Sequence, residues 1–210
     1  MKKNDLIMRS YLFDLASEES DAGAVITGRP IVYDSRADMG IFEEYIDRGA
    51  LDATDLTDVR FLVNHDLSKI PLARSRRNNG NSTMQLTVDE QGMSIRVNLD
   101  TENNADARSL YSAVQRGDVS GMSFMFSVDG EKWENLESDY PTRHITNIGS
   151  VVEVSAVTFP AYSATEINAR SKETLDSVRS ALDNARQQME KPVDTGLELL
   201  KLKNIILGGI

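Results

Sequence analysis

The sequence predicts a mainly β fold of the α+β kind: a closed antiparallel β-barrel with helices packed around it. Three observations predict it. Most of residues 20–160 falls into short runs with strand patterning. One segment in that span has clear helical periodicity. Nowhere do strand and helix patterns alternate as a parallel βαβ sheet requires.

Residues 24–33 read as strand, a Gly28-Arg29-Pro30 interruption, and strand again. The proline marks an edge or a bulge. Residues 42–46 form a short strand-like or irregular piece, closed by the Asp47-Arg48-Gly49 turn. Residues 58–63 form a strand that runs into Asn64-His65-Asp66, and residues 75–82 a polar loop. The clearest hairpin follows. Met84, Leu86 and Val88 alternate with polar residues, Asp89-Glu90-Gln91-Gly92 turns, and Met93, Ile95, Val97 and Leu99 alternate again. Ala107, Leu110, Tyr111 and Val114 then share one helical face, with Asn103 or Asn104 as N-cap and Gly117 past the end. Two further strands cover residues 121–128 and 150–159, the second stopped by Pro160. Beyond Arg170, Leu175, Val178, Leu182, Ala185 and Met189 make one apolar stripe, ended by Pro192. Thr195-Gly196-Leu197-Glu198 has capping-box spacing and opens a second short helix before Gly208-Gly209.

Composition narrows the function. The chain has 210 residues, 40% apolar and 27% charged, ordinary for a water-soluble domain. No apolar run reaches the roughly 18 residues a membrane helix needs, so no membrane association is expected. The start, Met1-Lys2-Lys3-Asn4-Asp5, is followed by no apolar stretch with a cleavage site, which predicts no secretory signal. The absence of cysteine removes disulfides, thiolate nucleophiles and thiolate metal sites. With two histidines, His65 and His144, a structural zinc site cannot be assembled, and neither metal nor cofactor is expected. A net charge of −10 argues against a nucleic-acid partner. Residues 1–170 carry 17 bases and 27 acids, and residues 171–210 carry six of each. That shift predicts two parts: a β-barrel domain over 1–170 and a helical tail over 171–210.

Three strand-borne polar residues stand out as catalytic candidates. Met122, Phe124, Phe126 and Val128 alternate onto a core face, so Ser123 points away from it beside Gly121. A small hydroxyl on a rigid strand suits a nucleophile; an exposed strand serine is the plainer reading. His65, just past an apolar strand, suits a general base near neutral pH, or a hydrogen-bonded structural histidine. Glu153 shares a strand face with Ser155 and Val157, and a carboxylate there needs a partner. A histidine ring N–H is one, an arginine such as Arg143 another. Together the three supply the parts of a Ser, His and acid triad, in the chain order His, Ser, Glu. No Gly-x-Ser-x-Gly elbow is present, so an α/β-hydrolase is not supported.

With these pieces in view the chain resembles the prohead maturation proteases of tailed bacteriophages, a family related in fold to herpesvirus assemblin. The resemblance rests on five segments. They are Phe42-Glu43-Glu44-Tyr45-Ile46 with Gly49-Ala50-Leu51; Asn64-His65-Asp66; Asp89-Glu90-Gln91-Gly92-Met93; Gly117-Asp118-Val119-Ser120-Gly121-Met122-Ser123-Phe124; and the run from Glu153 to Tyr162. They occur in the family's order. The resemblance implies a serine endopeptidase with Ser123 as nucleophile, His65 as general base and, by position, Glu153 as third member. Assemblin uses a second histidine in that third role, and an arginine pair close behind it helps the oxyanion. Here no arginine follows Glu153 until Arg170. A backbone N–H, or one of Arg74, Arg76 and Arg77, is left as oxyanion donor.

The partners implied are the N-terminal scaffold segment of a major capsid protein or a separate scaffold protein, and the chain itself through self-processing and homo-oligomer formation. The place implied is the interior of the immature head in the host cytoplasm. The tail would dock on scaffold or be removed by self-cleavage; the plainer expectation is that Leu175, Val178 and Leu182 cover the barrel. The competing expectation is a non-enzymatic scaffold or structural protein of the head on the same barrel.

Overall fold

The computed structural model describes residues 6–11, 15–20, 23–76, 80–158 and 172–190. Eleven strands and two helices make up these residues. In chain order the strands are β1 (Leu6–Tyr11), β2 (Ala16–Ser20), β3 (Gly23–Val32), β4 (Ala37–Asp38), β5 (Glu43–Ile46), β6 (Asp58–Val63), β7 (Ala73–Arg76), β8 (Met84–Asp89) and β9 (Gly92–Leu99). Helix α1 (Ala105–Gln115) follows, then β10 (Gly121–Glu134), β11 (Thr142–Val157) and helix α2 (Lys172–Glu190).

The strands form two sheets in place of the single closed barrel that the sequence predicts. One has seven strands, with the path β1-β10-β11-β5-β4 and with β6 and β7 branching from β11; the other runs β2-β3-β9-β8. Strand β11 explains the departure. It pairs antiparallel with β10 along one edge, and parallel with both β5 and β6 along the other. Patterning alone carries no signal for those two parallel ladders, because a buried strand reads alike in either direction.

The hairpin β8–β9 forms as predicted, with Leu86 opposite Ile95. Its turn needs Gly92, where φ is +135° and a Cβ would fall 2.1 Å from the Ile31 carbonyl oxygen. Strand β3 runs through the Gly-Arg-Pro interruption with a register shift between Gly28 and Ile31, as the proline implies. Helix α1 starts at Asn104, whose side chain accepts from the N–H groups of Asp106 and Ala107. Part of the predicted polar loop is strand β7, paired with β6. Strand β10 runs past its predicted end at Val128, and β11 starts well before its predicted start at Ser150. There polar residues such as Asp129, Glu131 and Lys132 dilute the alternation.

Phe124 and Phe126 stack 4.8 Å apart at the centre of the core, with Phe61, Ile26, Val154 and Ala156 around them. Helix α2 lies on the body, where Val178 and Leu182 close over Met39 and Phe42. Arg186 of the same helix donates to the carbonyls of Leu136 and Ser138. Pro192 and the second tail helix fall outside the described residues.

Candidate active site

Ser123 and Glu153 lie on the paired strands β10 and β11, and His65 follows β6, which pairs with the other edge of β11. Register places Ser123 opposite Ser155 on β11, and Ser155 opposite Leu62 on β6. Paired residues share a face, so Ser123, Ser155 and Glu153 all stand on the side away from Phe124 and Val154. His65 reaches that side through a turn. Asn64 and His65 both adopt left-handed backbone, with φ of 51° and 58°, which costs a non-glycine residue about 1 kcal/mol or more. The turn is held from both ends. Asn64 N–H donates to the Ala156 carbonyl at 2.9 Å. Thr158 N–H donates to Asn64 Oδ1 at 3.0 Å, and Asn64 Nδ2 donates back to the Thr158 hydroxyl at 3.1 Å.

The three side chains meet. His65 Nε2 and Ser123 Oγ lie 2.6 Å apart. On the other side of the ring Nδ1 bonds Glu153 Oε1. An ionised carboxylate only accepts, so Nδ1 carries a proton, and in the neutral ring Nε2 is left to accept from Ser123. Ser123 is fully buried, Glu153 is 1% exposed, and the His65 side chain keeps 18% exposure, so the ring faces the solvent side. The exposed strand serine that patterning allows is therefore not what the fold contains: β1 covers it. Arg143, the other partner open to Glu153, bonds Glu44 and Glu131 instead.

Sequence patterning missed a residue in this row. Ser155 Oγ donates to Glu153 Oε2 at 2.7 Å and accepts the His65 main-chain N–H at 3.1 Å. Both Glu153 oxygens are thus occupied, and the backbone of the histidine is tied to the carboxylate that meets its ring. The signal was the shared face of Glu153 and Ser155. Strand β1 was missed altogether. It pairs with β10 along the nucleophile strand, and the Arg9 carbonyl accepts from Ser123 Oγ at 2.8 Å. A hydroxyl has one proton, so Ser123 gives it either to His65 or to Arg9, never to both.

Arg9 fastens β1 through a buried ion network. Its guanidinium binds both oxygens of Glu44, with Nη2 at 2.9 Å from Oε2, and Arg143 Nη1 bonds the same Oε2 at 2.8 Å. Burial pushes the Glu44 carboxyl up, but the Arg9 guanidinium, then Arg143, outweigh it and hold the group at about 2.

Two cavities flank the row. One of about 390 Å³ is lined by Leu62, Val63, Leu72, Leu110 and Val119, with Asn64 and Asp66 on either side of His65 at its wall. The other, about 270 Å³, is lined by Leu6, Leu62, Leu67, Met125 and Glu153. Their walls are mostly apolar, with Lys69 shared by both, Asp106 in the first and Arg60 in the second. Of the arginines considered for the oxyanion, Arg74 is engaged by both oxygens of Asp58, at 2.5 and 2.6 Å, and Arg77 lies outside the described residues. Among the described residues no group of three or more His, Asp or Glu is placed to hold a metal ion. No helix among them is long and apolar enough to cross a membrane. Chemically, the row can pass a hydroxyl proton to an imidazole whose cation the carboxylate stabilises, which is the requirement for acyl transfer.

Comparison with known proteins follows the same line. A family model described as caudovirus prohead serine protease matches residues 12–180. The prohead protease of Enterobacteria phage HK97 is 30% identical over 129 residues, which are 60% of this chain and 52% of that protein. The chain therefore spans about half the length of that relative. Among solved structures, the bacteriophage T4 capsid assembly protease aligns with 73% of this chain and 97% of its own, at 11% identity and a TM-score of 0.43. A likeness at that level decides nothing further.

Proposed function

The chain belongs to the caudovirus prohead serine protease family, and from that premise we propose that it is a serine endopeptidase of phage head maturation. Its substrates are the scaffold segment of a major capsid protein, or a separate scaffold protein, and the chain itself. It works as a homo-oligomer inside the immature head, and its relation in fold to assemblin belongs to the same reading.

One observation carries the chemistry: the continuous hydrogen-bonded row from Ser123 through His65 to Glu153. Ser123 Oγ attacks the scissile carbonyl. His65 Nε2 takes the hydroxyl proton and returns it to the leaving amine, while Glu153 fixes the ring and stabilises the imidazolium. Water, activated by the same histidine, then releases the acyl group from Ser123. A scaffold protein with no chemistry has no use for a buried hydroxyl, base and acid in contact, since each polar group taken from water has to be satisfied. The test is co-expression with the capsid protein, followed by mass spectrometry of the products. Wild type should shorten the capsid protein and Ser123→Ala should leave it whole. Equal processing by both would dismiss Ser123 as nucleophile.

A further inference from the structure

Resting on Ser123 as the nucleophile, we propose that strand β1 occupies the place of a substrate. Arg9 stands where the residue before the cut bond sits, and Glu44 selects a basic residue there.

Two contacts of one residue carry this. The Arg9 carbonyl accepts the Ser123 hydroxyl at 2.8 Å. The Arg9 side chain runs to Glu44, which binds its guanidinium with both oxygens. Arg9 is 4% exposed and Glu44 not at all. A nucleophile on a residue's carbonyl, with a buried carboxylate on the same residue's cation, is how an endopeptidase reads a basic side chain and cuts after it. The backbone agrees. β1 is the edge strand of its sheet and lies antiparallel on β10, with Ser10 opposite Ser123. An extended peptide binds a sheet edge in just that way. Leu6, three residues before Arg9, lines the 270 Å³ cavity with Leu62 and Met125 but also with Arg60 and Lys69, and it stays half-exposed, so selection rests on Arg9 and not on this position. The family match begins at residue 12, beyond the end of β1 at Tyr11.

Charge gives the selectivity. Glu44 and Glu131 face Arg9 and Arg143. With β1 displaced, two carboxylates share Arg143. An incoming arginine restores the balance, an apolar residue leaves it short, and an acid adds a third carboxylate.

In the self-reaction, Ser123 Oγ bonds to the Arg9 carbonyl carbon. Its proton passes through His65 to the Ser10 nitrogen, and the Arg9–Ser10 bond breaks. Water then frees residues 1–9 with a terminal carboxylate, and the chain begins at Ser10. A separate peptide seated in place of β1 is cut in the same steps.

The experiment follows the full chain by intact mass. It also measures cleavage of peptides carrying Leu-Ile-Met-X-Ser-Tyr, with X as Arg, Lys, Gln, Leu or Glu. We expect loss of residues 1–9 in wild type but not in Ser123→Ala. We also expect cutting after Arg roughly 100-fold faster than after Gln or Leu. Glu44→Gln should narrow that gap. Because removing a buried charge can unfold the protein, the wild-type panel decides by itself. Ser123-dependent cleavage with no basic preference overturns the inference and leaves the protease reading standing. Cleavage that survives Ser123→Ala, or no cleavage of any substrate, overturns both.

Discussion

Ser155 gives its hydroxyl proton to Glu153 at 2.7 Å, and so holds the carboxylate by the oxygen that His65 does not use. The same Ser155 oxygen takes the His65 main-chain N–H. Ser155→Ala should therefore lower kcat by about 10- to 100-fold, the cost of a buried acceptor left unmade. The loss should fall on kcat and not on KM, because Glu153 then holds the ring less firmly. Ser155→Thr, which keeps the hydroxyl, should recover part of the loss. Steady-state kinetics of the three proteins check this, and equal kcat values would remove Ser155 from the machinery.

Ser123 and Glu153 should differ in degree. Ser123 makes the bond, whereas Glu153 orients and stabilises. We expect Ser123→Ala to cost about 10⁶ in kcat and Glu153→Gln about 10⁴. Single-turnover cleavage of a capsid-derived peptide measures both, and wild-type kinetics for Glu153→Gln would take it out of the site.

Asn64 should be needed for fold and rate together. Asn64→Ala puts a residue averse to φ of 51° into the turn and removes the clamp on Thr158. We expect about 2 kcal/mol less stability in urea unfolding. Asn64→Gly, at ease with that φ, should lose less stability but still slow turnover, because His65 is no longer pinned.

Glu44 sets a pH dependence. Its carboxyl lies at about 2 in the folded chain, against 4.5 ordinarily. A depressed folded value means the unfolded chain binds the proton more readily. The stabilisation, about 3 kcal/mol, is complete above pH 4.5 and fades as pH falls towards 2. Urea unfolding of Ser123→Ala, which keeps Arg9 in place, at pH 6, 4 and 3 should show that decline. Glu44→Gln should be less stable at pH 6 and flatter across the range.

Leu182 seals α2 onto Phe42 and Met39. Leu182→Ala should cost about 2–3 kcal/mol, and a chain cut after residue 170 should be less stable still, with Phe42 newly exposed. Denaturant melts of both test this. Unchanged midpoints would mean that the tail does not support the body.

What patterning could read was local. The period-2 runs around Gly92 and the helical face of Ala107, Leu110 and Val114 are decided by neighbours a few residues apart, and both stand as predicted. Ser123 and Glu153 could be picked out as polar residues on apolar strands and His65 as the residue just past one, but their meeting depends on the pairing of β10, β11 and β6 and on the turn at Asn64. Strand β1 was not readable, because Arg9 is held by a carboxylate 35 positions away. The parallel pairing of β11 with β5 and β6 was hidden for the same reason, since no local pattern encodes direction. Ser155 looked like any strand serine until the turn at Asn64 brought a backbone N–H to it.

Trp133 is the chain's single tryptophan, and its ring stands edge-on to Phe42, 4.9 Å away, beside Val178 and Leu182. Among the described residues its buried indole N–H has no hydrogen-bond partner. Light that excites tryptophan and not the tyrosines therefore reports on one spot, the seat of α2, where the ring is half-buried. Lifting the helix would wet that ring and redden the light. The native chain thus carries its own optical gauge of whether α2 is docked, readable in real time without a label.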